Sequence, residues 1–405
     1  MVKWISVQNL IGGLALGFEK VFGSPEAIIT NGVKNDNLYI NYCNETRHLN
    51  IPVYTMNSDY TELVSGPTET LPEADIYAMT PVCAGLSMLN SSTSGKYARG
   101  DADNCQNQNM YNLTRLAMRN KAKIIAFENA PALYTKTGEG VVVKLQEIAD
   151  EYGYTFGLFA TNTLYHGIPQ SRKRTFALFY RDTNPAIFNF EHVQYKDFCE
   201  YLEEIPKDSK YYDYNIGSCN EDVYVQCILD LTKSKTLLEA TKKLNCSKDK
   251  PVYTILMLVM MCGLDNAINW FEEKVKETDD TNAKRQLKFL YHCKEKLKNE
   301  KGYFDATGHI YMHGHTNAII SKNLLIYNNK HDRYLNAREL MYLMGLPHDF
   351  EIDVKRELYM ITQNVPVCTA AYIAKQVSLY LNNELPISNR PFIKQNNHKM
   401  KIDIG

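Results

Sequence analysis

A thiol, a carboxylate and two guanidinium groups follow short apolar segments of this chain. Cys83 lies in Pro-Val-Cys-Ala-Gly-Leu-Ser, just after an apolar segment that ends at Met79, and Glu128 ends the next such segment, in Phe-Glu-Asn-Ala-Pro. In open α/β sheets, ligands bind at the carboxyl ends of the strands. A sulfur nucleophile and a carboxyl group at one edge would support covalent catalysis with proton transfer. Taken singly, such a cysteine is more often a buried structural residue, and such a glutamate can simply cap a turn.

Two arginines and a glycine pair extend this set. Arg172 and Arg174, in Gln-Ser-Arg-Lys-Arg, fall on the same side of an extended backbone. Such a pair either forms structural ion pairs or holds a carbonyl oxygen or a phosphate by forked hydrogen bonds. Gly12 and Gly13 follow the first apolar segment and open a helix. They form either a tight turn or a place where a ligand approaches backbone amides.

The elements that position these residues alternate between strand and helix over residues 1–180, which is typical of a doubly wound α/β sheet. The predicted strands are Trp4–Val7, Ala27–Thr30, Ile76–Met79, Ile124–Phe127, Phe156–Ala160 and Arg174–Phe179. The predicted helices are Ala15–Phe22, Asn109–Asn120 and Gly140–Tyr152. From residue 182 the periodicity becomes that of longer helices, one of which begins at Thr281 and carries lysines and arginines along one face.

The Pro-x-Cys, Glu-Asn and Gln-x-Arg-x-Arg motifs, in this order, resemble those of the DNA (cytosine-5)-methyltransferase family. The resemblance covers residues 4–180 and 309–380. Within the second range, Arg333–Glu339 and Gly345–Phe350 are similar to the family's ninth motif, and Gln363–Val367 is similar to its tenth. Five matches in one order are hard to obtain by accident, so the chain is identified as a member of this superfamily.

This resemblance implies a Rossmann-like fold of the S-adenosylmethionine-dependent methyltransferases, a doubly wound mixed sheet with a smaller inserted domain. We predict that the catalytic and cofactor domain comprises residues 1–181 and returns at 331–383. Residues 182–330 are predicted to form a largely helical target-recognition domain. The polar residues 384–405, with two prolines and paired asparagines, are predicted to form a disordered tail.

The resemblance also implies a chemistry, in which Cys83 adds to carbon-6 of a cytosine that has been flipped out of double-stranded DNA. The resulting enamine takes a one-carbon group at carbon-5 from S-adenosylmethionine. Glu128 would hold the ring at N3 and the exocyclic amine, and Arg174, with Arg172 in support, would bind O2 and help lower the pKa of the thiol. The side chains expected to bind the substrate are Ser87, Asn129 and Gln170. The polar stretch from Asn90 to Gln108, which includes Gly95, Lys96 and Arg99, is expected to close over the flipped base.

The donor pocket implied by the resemblance is lined by Ile11, Gly12, Gly13, Asp59, Pro81 and Val365. This sequence departs from the family pattern in two places. Ser-Val-Gln-Asn-Leu, residues 6–10, replaces the usual Asp-Leu-Phe-x-Gly. At the end of the second strand the family has a glutamate for the ribose hydroxyls of S-adenosylmethionine, whereas this chain has Thr30 and Asn31, with Asp36 as the nearest substitute.

Three hypotheses follow. The first is a DNA cytosine-5 methyltransferase with an adapted donor pocket. The second is the same enamine chemistry with another one-carbon donor, a folate or formaldehyde, which would give 5-hydroxymethylcytosine. The third is a catalytically idle relative that binds DNA. One branch of the superfamily modifies transfer RNA, but its recognition domain is small, so the long insert here favours DNA.

Composition limits these hypotheses without choosing between them. The chain has 45 Lys and Arg residues against 46 Asp and Glu residues, so DNA must be attracted by local basic patches. The basic face of the helix at Thr281 is either such a patch or an ordinary solvated surface. No apolar run reaches the ~18 residues of a membrane span, and the ten cysteines include no Cys-x-x-Cys pair. We expect a monomeric cytoplasmic protein without a metal or a membrane partner.

Overall fold

The computed structural model describes residues 2–32, 37–87, 90, 92, 97–217, 222–247, 250, 252–298, 308–312, 314–321, 324–397 and 401–403. They divide into two compact units. The first comprises Met1–Tyr195 and Leu343–Gly405, and the second comprises Lys196–Tyr342. The division therefore falls at residues 196 and 342, later than the predicted 182 and 330. Residues 182–195 belong to the first unit because its strands and loops hold them, as the bridges of Ala186 with Ile387 and of His166 with Val193 illustrate.

The strands are, in chain order, β1 Trp4–Val7, β2 Ala27–Thr30, β3 Val53–Met56, β4 Leu63–Ser65, β5 Ile76–Met79, β6 Ile124–Asn129, β7 Tyr154–Asn162, β8 Gln170–Ser171, β9 Lys173–Arg181, β10 Val252–Thr254, β11 His309–Tyr311, β12 Thr316–Asn317, β13 Tyr327–Asn328, β14 Arg333–Tyr334, β15 Phe392–Asn396 and β16 Lys401–Asp403. The helices are α1 Gly13–Phe22, α2 Asn37–Asn41, α3 Gln108–Arg119, α4 Glu139–Glu151, α5 Phe198–Leu202, α6 Val223–Thr232, α7 Leu237–Lys243, α8 Ile255–Met261, α9 Leu264–Thr278, α10 Thr281–Lys298, α11 Ala337–Tyr342, α12 Val354–Glu357 and α13 Val367–Leu381.

The first unit is built on a mixed sheet. Its described strands run in the order β16-β15-β7-β9-β6-β5-β1-β2-β3-β4. Strands β3, β2, β1, β5 and β6 are mutually parallel, whereas β9 runs antiparallel to both β6 and β7. Strands β1, β2, β5 and β6 are buried throughout, as expected for a sheet covered by helices on both faces. The fold is the Rossmann-like α/β fold predicted from the sequence.

All six strands and all three helices predicted in the first 180 residues are confirmed, with ends that differ by a few residues. The predicted disorder after Glu384 is wrong for residues 392–396. These residues form β15, which pairs in parallel with β7 from Phe392 opposite Phe156 to Asn396 opposite Ala160. The side chain of Gln395 accepts a hydrogen bond from the Phe188 amide at 2.8 Å and donates one to the Ala186 carbonyl at 2.9 Å. The sequence did not predict this strand because most of its residues are polar. Part of its stability comes from side-chain hydrogen bonds instead of apolar burial.

Helix α1 packs closely against α13, and Gly17 sets how closely. A Cβ atom at Gly17 would lie 2.3 Å from the Cβ of Ala370 and 2.6 Å from the backbone nitrogen of Ala371. Real carbon contacts are not that short, so a larger residue would force the two helices apart. This contact matters for the site because α1 begins at Gly13 and α13 follows the predicted tenth motif.

We predict that Gly17→Ala lowers the free energy of unfolding by about 1–3 kcal/mol through overpacking. Gly140→Ala is the matched control, since Gly140 is also helical and its nearest neighbour to an added Cβ, in Ala102, lies 3.6 Å away. There, the gain in helix propensity should raise stability by up to about 1 kcal/mol. Urea unfolding of both variants measures the difference. Equal effects of the two substitutions would contradict the proposed tight packing of α1 on α13.

The second unit is largely helical, as predicted, with a core formed by α6, α8, α9 and α10 around residues such as Ile228, Leu258, Phe271 and Leu290. The basic face of α10 is partly neutralised within the unit. Lys284 pairs with Asp279 and Lys294 with Asp265, both at 2.5 Å. Along the described residues, no single helix is long and apolar enough to cross a membrane. Helices α8 and α9, which meet at a bend of 105°, reach that length and apolarity only when they are taken together.

Candidate active site

The sheet register brings Glu128 and Arg174 together. Glu128 lies near the carboxyl end of β6, opposite Phe176 of the antiparallel strand β9. Arg174 lies two residues before Phe176, so it shares a face with Glu128 as its diagonal neighbour. The Arg174 Nε contacts Glu128 Oε1 at 2.5 Å, with the carboxylate buried and the guanidinium slightly accessible. An ion pair therefore stands at the ligand edge of the sheet.

Cys83 stands beside this pair because it follows β5, the neighbour of β6. A turn that the Leu86 amide closes on the Cys83 carbonyl, at 3.0 Å, directs the chain away from the sheet. Gly85 is required in this turn, because a Cβ atom there would lie 2.4 Å from Asn107 Oδ1. The side chain of Cys83 is exposed, although protein atoms surround it closely enough to desolvate the thiol. The thiol therefore lies in a concave site that remains open to solvent.

The charges around Cys83 act in opposite directions. Desolvation is the largest influence and raises the pKa of the thiol, and the Glu128 carboxylate raises it further. The guanidinium groups of Arg174 and Arg172 lower it. Burial likewise raises the pKa of the Glu128 carboxyl group against the two arginines. Both arginines therefore lower the pKa of the thiol, as predicted, but desolvation and Glu128 outweigh them. The site keeps a neutral thiol more readily than a free cysteine does.

The alkylation rate of Cys83 should show the net effect of these opposing influences on the pKa of its thiol. Because the pKa of the thiol is raised, its thiolate fraction at neutral pH is below that of free cysteine, whose pKa is about 8.5. We expect the rate of carbamidomethylation of the peptide containing Cys83, followed by mass spectrometry, to rise steadily between pH 7 and pH 9.5. Arg174→Gln should slow it at each pH, because a neighbouring cation is lost. An alkylation rate that levels off below pH 7.5 would mean that the thiol is already ionised there, and it would contradict the raised pKa.

Arg172 lies deeper than Arg174. It is fully buried, and its Nη2 donates a hydrogen bond to the backbone carbonyl of Thr362. Burial, followed by the charge of Arg174, lowers the pKa of Arg172 well below its usual value, while Glu128 and Cys83 oppose that change. The structure therefore brings all four predicted catalytic side chains together, with Arg172 fully buried and Arg174 closer to the solvent.

The three residues predicted to bind the substrate lie at the same edge but differ in accessibility. Ser87 is half-buried. Asn129 is fully buried, and its Oδ1 accepts a hydrogen bond from the Ala130 amide at 2.8 Å. Gln170 is also fully buried, and its Nε2 donates to the Leu343 carbonyl at 2.9 Å. These two carboxamides hold backbone segments around the site. Gly95 and Lys96 of the predicted loop lie outside the described residues.

The donor side of the edge is formed around the glycine pair. Gly12 has φ +95°, and a Cβ atom there would lie 2.3 Å from the ring of Tyr39. A Cβ atom at Gly13 would lie 2.0 Å from the Val365 carbonyl oxygen. The Gly13 amide donates a hydrogen bond to Asn364 Oδ1 at 2.7 Å. The tenth motif thus packs directly on the turn that begins α1, with backbones close enough that only glycine fits.

The other residues predicted to line the pocket for the methyl donor differ in how deeply they are buried. Ile11, Pro81 and Val365 are buried, whereas Asp59 is exposed and its backbone carbonyl accepts a hydrogen bond from Asn112 Nδ2 at 2.9 Å. After β2, the Thr30 hydroxyl accepts a hydrogen bond from the Gly32 amide at 3.1 Å. Asp36, the substitute considered for the absent glutamate, lies outside the described residues.

Comparison with known proteins decides the family. The model of the C-5 cytosine-specific DNA methylase family matches residues 2–379. The chain belongs to that family. The match includes the segments that carry Cys83, Glu128, Arg172 and Arg174, and it ends before β15. Members of this family are S-adenosylmethionine-dependent methyltransferases.

Individual relatives are distant. The chain is 26% identical to the Type II methyltransferase M.NgoPII of Neisseria gonorrhoeae over 190 residues, which cover 47% of this chain and 51% of the relative. It is 28% identical to the Type II methyltransferase M.HhaI of Haemophilus parahaemolyticus over 156 residues, or 37% and 45% of the two chains. The chain thus spans about half the length of the curated relatives it matches. The solved structure of the Entamoeba histolytica methyltransferase EhMeth has the same fold, with a TM-score of 0.52, 14% identity and coverage of 95% and 98%.

A C-5 cytosine methylase needs a pocket for its methyl donor, and the residues on the donor side fit a polar ligand of that kind. The glycine turn begins α1, and the N-terminus of a helix offers backbone amides to a polar ligand. Beside it, Gln8 and Asn9 are buried, and each has a side-chain polar atom to which no described residue offers a hydrogen bond. Unpartnered buried polar groups are costly and are usually satisfied by a ligand or water. Gln8, Asn9 and Asp59 would therefore hold the polar groups of the donor.

Sequence analysis missed two contacts of the candidate site. Asn364 lies in the tenth motif, 351 residues after Gly13, so the sequence did not show that its Oδ1 accepts the amide at the start of α1. The contact of Arg172 with the Thr362 carbonyl leaves no trace in the sequence, because any residue at position 362 offers the same carbonyl group.

Proposed function

We propose that this protein is a DNA cytosine-5 methyltransferase that acts on double-stranded DNA as a monomer. The observation that carries the proposal is the group formed by the exposed thiol of Cys83 and the Glu128–Arg174 ion pair at one edge of the sheet. A thiol, a buried carboxyl group and an arginine suit nucleophilic addition to a pyrimidine, since each can contact a different edge of the ring.

In the proposed reaction, the thiol of Cys83 loses its proton to water, its sulfur attacks carbon-6 of the target cytosine, and the ring accepts the electron pair as an enamine. Glu128, whose pKa is raised by burial, takes up a proton when Arg174 leaves its carboxylate and shares that proton with N3, which stabilises the charge that develops there. Arg174 turns from Glu128 toward O2 of the ring, while Arg172 stays fixed on Thr362. S-adenosylmethionine, when bound, supplies an electrophilic methyl group for carbon-5. A base or water then removes the carbon-5 proton, and the electron pair that is released re-forms the double bond between carbon-5 and carbon-6 and expels the sulfur of Cys83.

A stacked base cannot reach Cys83, so the reaction requires base flipping at a cost of a few kcal/mol. We propose that the second unit, Lys196–Tyr342, provides target recognition and offsets part of that cost by phosphate contacts. The lysines of α10 that pair with Asp279 and Asp265 are less available for this role than the sequence suggested. The exposed residues Lys288 and Arg285 of the same helix are the better candidates.

The departures of the donor pocket from the family pattern support a second candidate. Replacement of the ribose-binding glutamate by Thr30 and Asn31 is equally suited to a folate or formaldehyde donor. With such a donor, the same addition of Cys83 would yield 5-hydroxymethylcytosine. The two candidates share every step up to the enamine, so only the product distinguishes them.

The test is to incubate the protein with cytosine-containing duplex DNA and each donor in turn, then to digest the DNA and weigh the nucleosides. A mass gain of one methyl group with S-adenosylmethionine supports the first candidate. A hydroxymethyl gain that requires a folate or formaldehyde supports the second. Unchanged cytosine under every condition, with duplex binding intact, would overturn both and leave an idle DNA-binding relative. Parallel incubation with transfer RNA identifies an RNA substrate.

A further inference from the structure

Three carboxamide side chains surround the turn that begins α1. Gln8 and Asn9 follow β1, and Asn364 comes from the tenth motif, where its Oδ1 accepts the Gly13 amide at 2.7 Å. All three side chains are more than nine-tenths buried. Within the part of the chain that the structure describes, no hydrogen-bond partner faces Gln8 Oε1, Asn9 Nδ2 or Asn364 Nδ2. We name Gln8, Asn9 and Asn364 the carboxamide cluster.

The orientation of the cluster is fixed by its other contacts. Asn9 Oδ1 accepts the hydroxyl hydrogen of Ser6 at 2.6 Å, and the Asn9 carbonyl accepts the Gly12 amide at 2.7 Å. The oxygens of both asparagine side chains are therefore occupied, and their Nδ2 groups remain as donors. Gln8 contributes an acceptor, Oε1. The cluster thus offers two donors and one acceptor around a single turn.

The backbone of this segment is held in an unusual conformation. Gln8 has φ +51° and Leu10 has φ +52°, in the left-handed region that residues with side chains rarely adopt. Leu10 stands where the family pattern has a glycine, so the turn keeps its shape without the residue that forms it most easily. The Gln8 amide donates to the Ile29 carbonyl at 2.9 Å. Gln8 therefore lies next to the end of β2, the position from which the family's glutamate binds the ribose.

We propose that the carboxamide cluster recognises the methyl donor and that Gln8 takes over the acceptor role of the missing glutamate. This inference rests on the proposed function. Gln8 Oε1 would accept a hydrogen bond from a ribose hydroxyl, and the Nδ2 groups of Asn9 and Asn364 would donate to the carboxylate of the amino-acid tail. Recognition by neutral amides has an electrostatic consequence. Such a pocket provides less attraction for the cationic sulfonium of S-adenosylmethionine than a pocket with a carboxylate does.

The experiment is isothermal titration of the full chain with S-adenosylmethionine and with S-adenosylhomocysteine, the uncharged-sulfur product. Gln8→Leu removes the acceptor and should weaken the binding of both compounds about tenfold. Gln8→Glu restores a carboxylate and should improve binding of S-adenosylmethionine relative to the product by roughly fivefold. Gln376→Leu is the matched control, because Gln376 of α13 is another buried glutamine of the same unit, bonded to the Asn189 amide at 3.0 Å. It should leave both affinities unchanged.

The outcomes separate this inference from the proposed function. If the wild-type chain binds S-adenosylmethionine and Gln8→Leu binds it equally well, the inference is overturned and the methyltransferase proposal stands. If Gln8→Leu fails to fold, the ratio measured with Gln8→Glu decides, and an unchanged ratio overturns the inference. If the wild-type chain binds neither compound, S-adenosylmethionine is the wrong donor and both ideas fail.

Discussion

Replacement of Cys83 by serine should abolish covalent capture of duplex DNA that carries 5-fluorocytosine and reduce methyl transfer at least about 10⁴-fold. A serine hydroxyl is a far weaker nucleophile than a thiol, and desolvation and Glu128 already disfavour an anion at this position. Fluorine at carbon-5 blocks the final loss of a proton, so an attacking sulfur stays attached. Denaturing gel electrophoresis of the protein–DNA adduct measures capture directly.

Cys105→Ser is the control for this substitution. Cys105 is also an exposed, free cysteine of the first unit. Capture by this variant should equal that of the wild-type chain. An adduct that persists in Cys83→Ser and disappears in Cys105→Ser would show that Cys105 is the nucleophile. That result would refute the proposed mechanism.

Replacement of Glu128 by glutamine should change two measurements in opposite directions. The amide preserves the shape of the carboxyl group but cannot give its proton to N3, so kcat should fall about 10²–10³-fold. The same change removes the carboxylate that raises the pKa of Cys83, so alkylation of the thiol at pH 7.5 should become faster. A damaged fold would slow both processes or expose every cysteine at once.

Glu339→Gln provides the matched control for Glu128. Glu339 is a buried glutamate in the second unit, and Arg333 Nη1 contacts its Oε2 at 2.7 Å. It also caps α11, where its carboxylate accepts the Asn336 amide at 2.8 Å. Loss of this pair should lower the melting temperature and leave the alkylation rate of Cys83 unchanged. Faster alkylation in both variants would mean that the effect at Glu128 is not electrostatic.

The sequence predicted which side chains meet at this edge of the sheet, because their positions follow from strand order. Cys83 follows β5, Glu128 lies near the end of the neighbouring parallel strand β6, and Arg174 lies near the start of β9, which pairs with β6 in the opposite direction. The alternation of the strand then decides which side chains face one another. The position of Arg172 behind Arg174 was also within reach, since both lie on one side of an extended backbone.

The sequence did not predict features that depend on burial or on backbone groups. The balance that raises the pKa of Cys83 depends on how deeply the thiol is desolvated, which no motif records. The carbonyl of Thr362 has no sequence signature. Strand β15 has only Ile393 and Phe392 as apolar residues among polar neighbours, so its pattern does not resemble a strand. The carboxamide cluster was visible only as the absence of the family's usual residues.

Strand β15 also affects when this protein can finish folding. It pairs with β7, which pairs with β9, the strand that carries Arg174, and it is separated from β7 by more than 200 residues of sequence. The ribosome must therefore synthesise all of the intervening chain before β7 gains its second neighbour. Until then the exposed edge of β7 is a template for pairing with another nascent chain. Yield in a cell should accordingly depend on how quickly residues 392–396 follow β7 out of the ribosome.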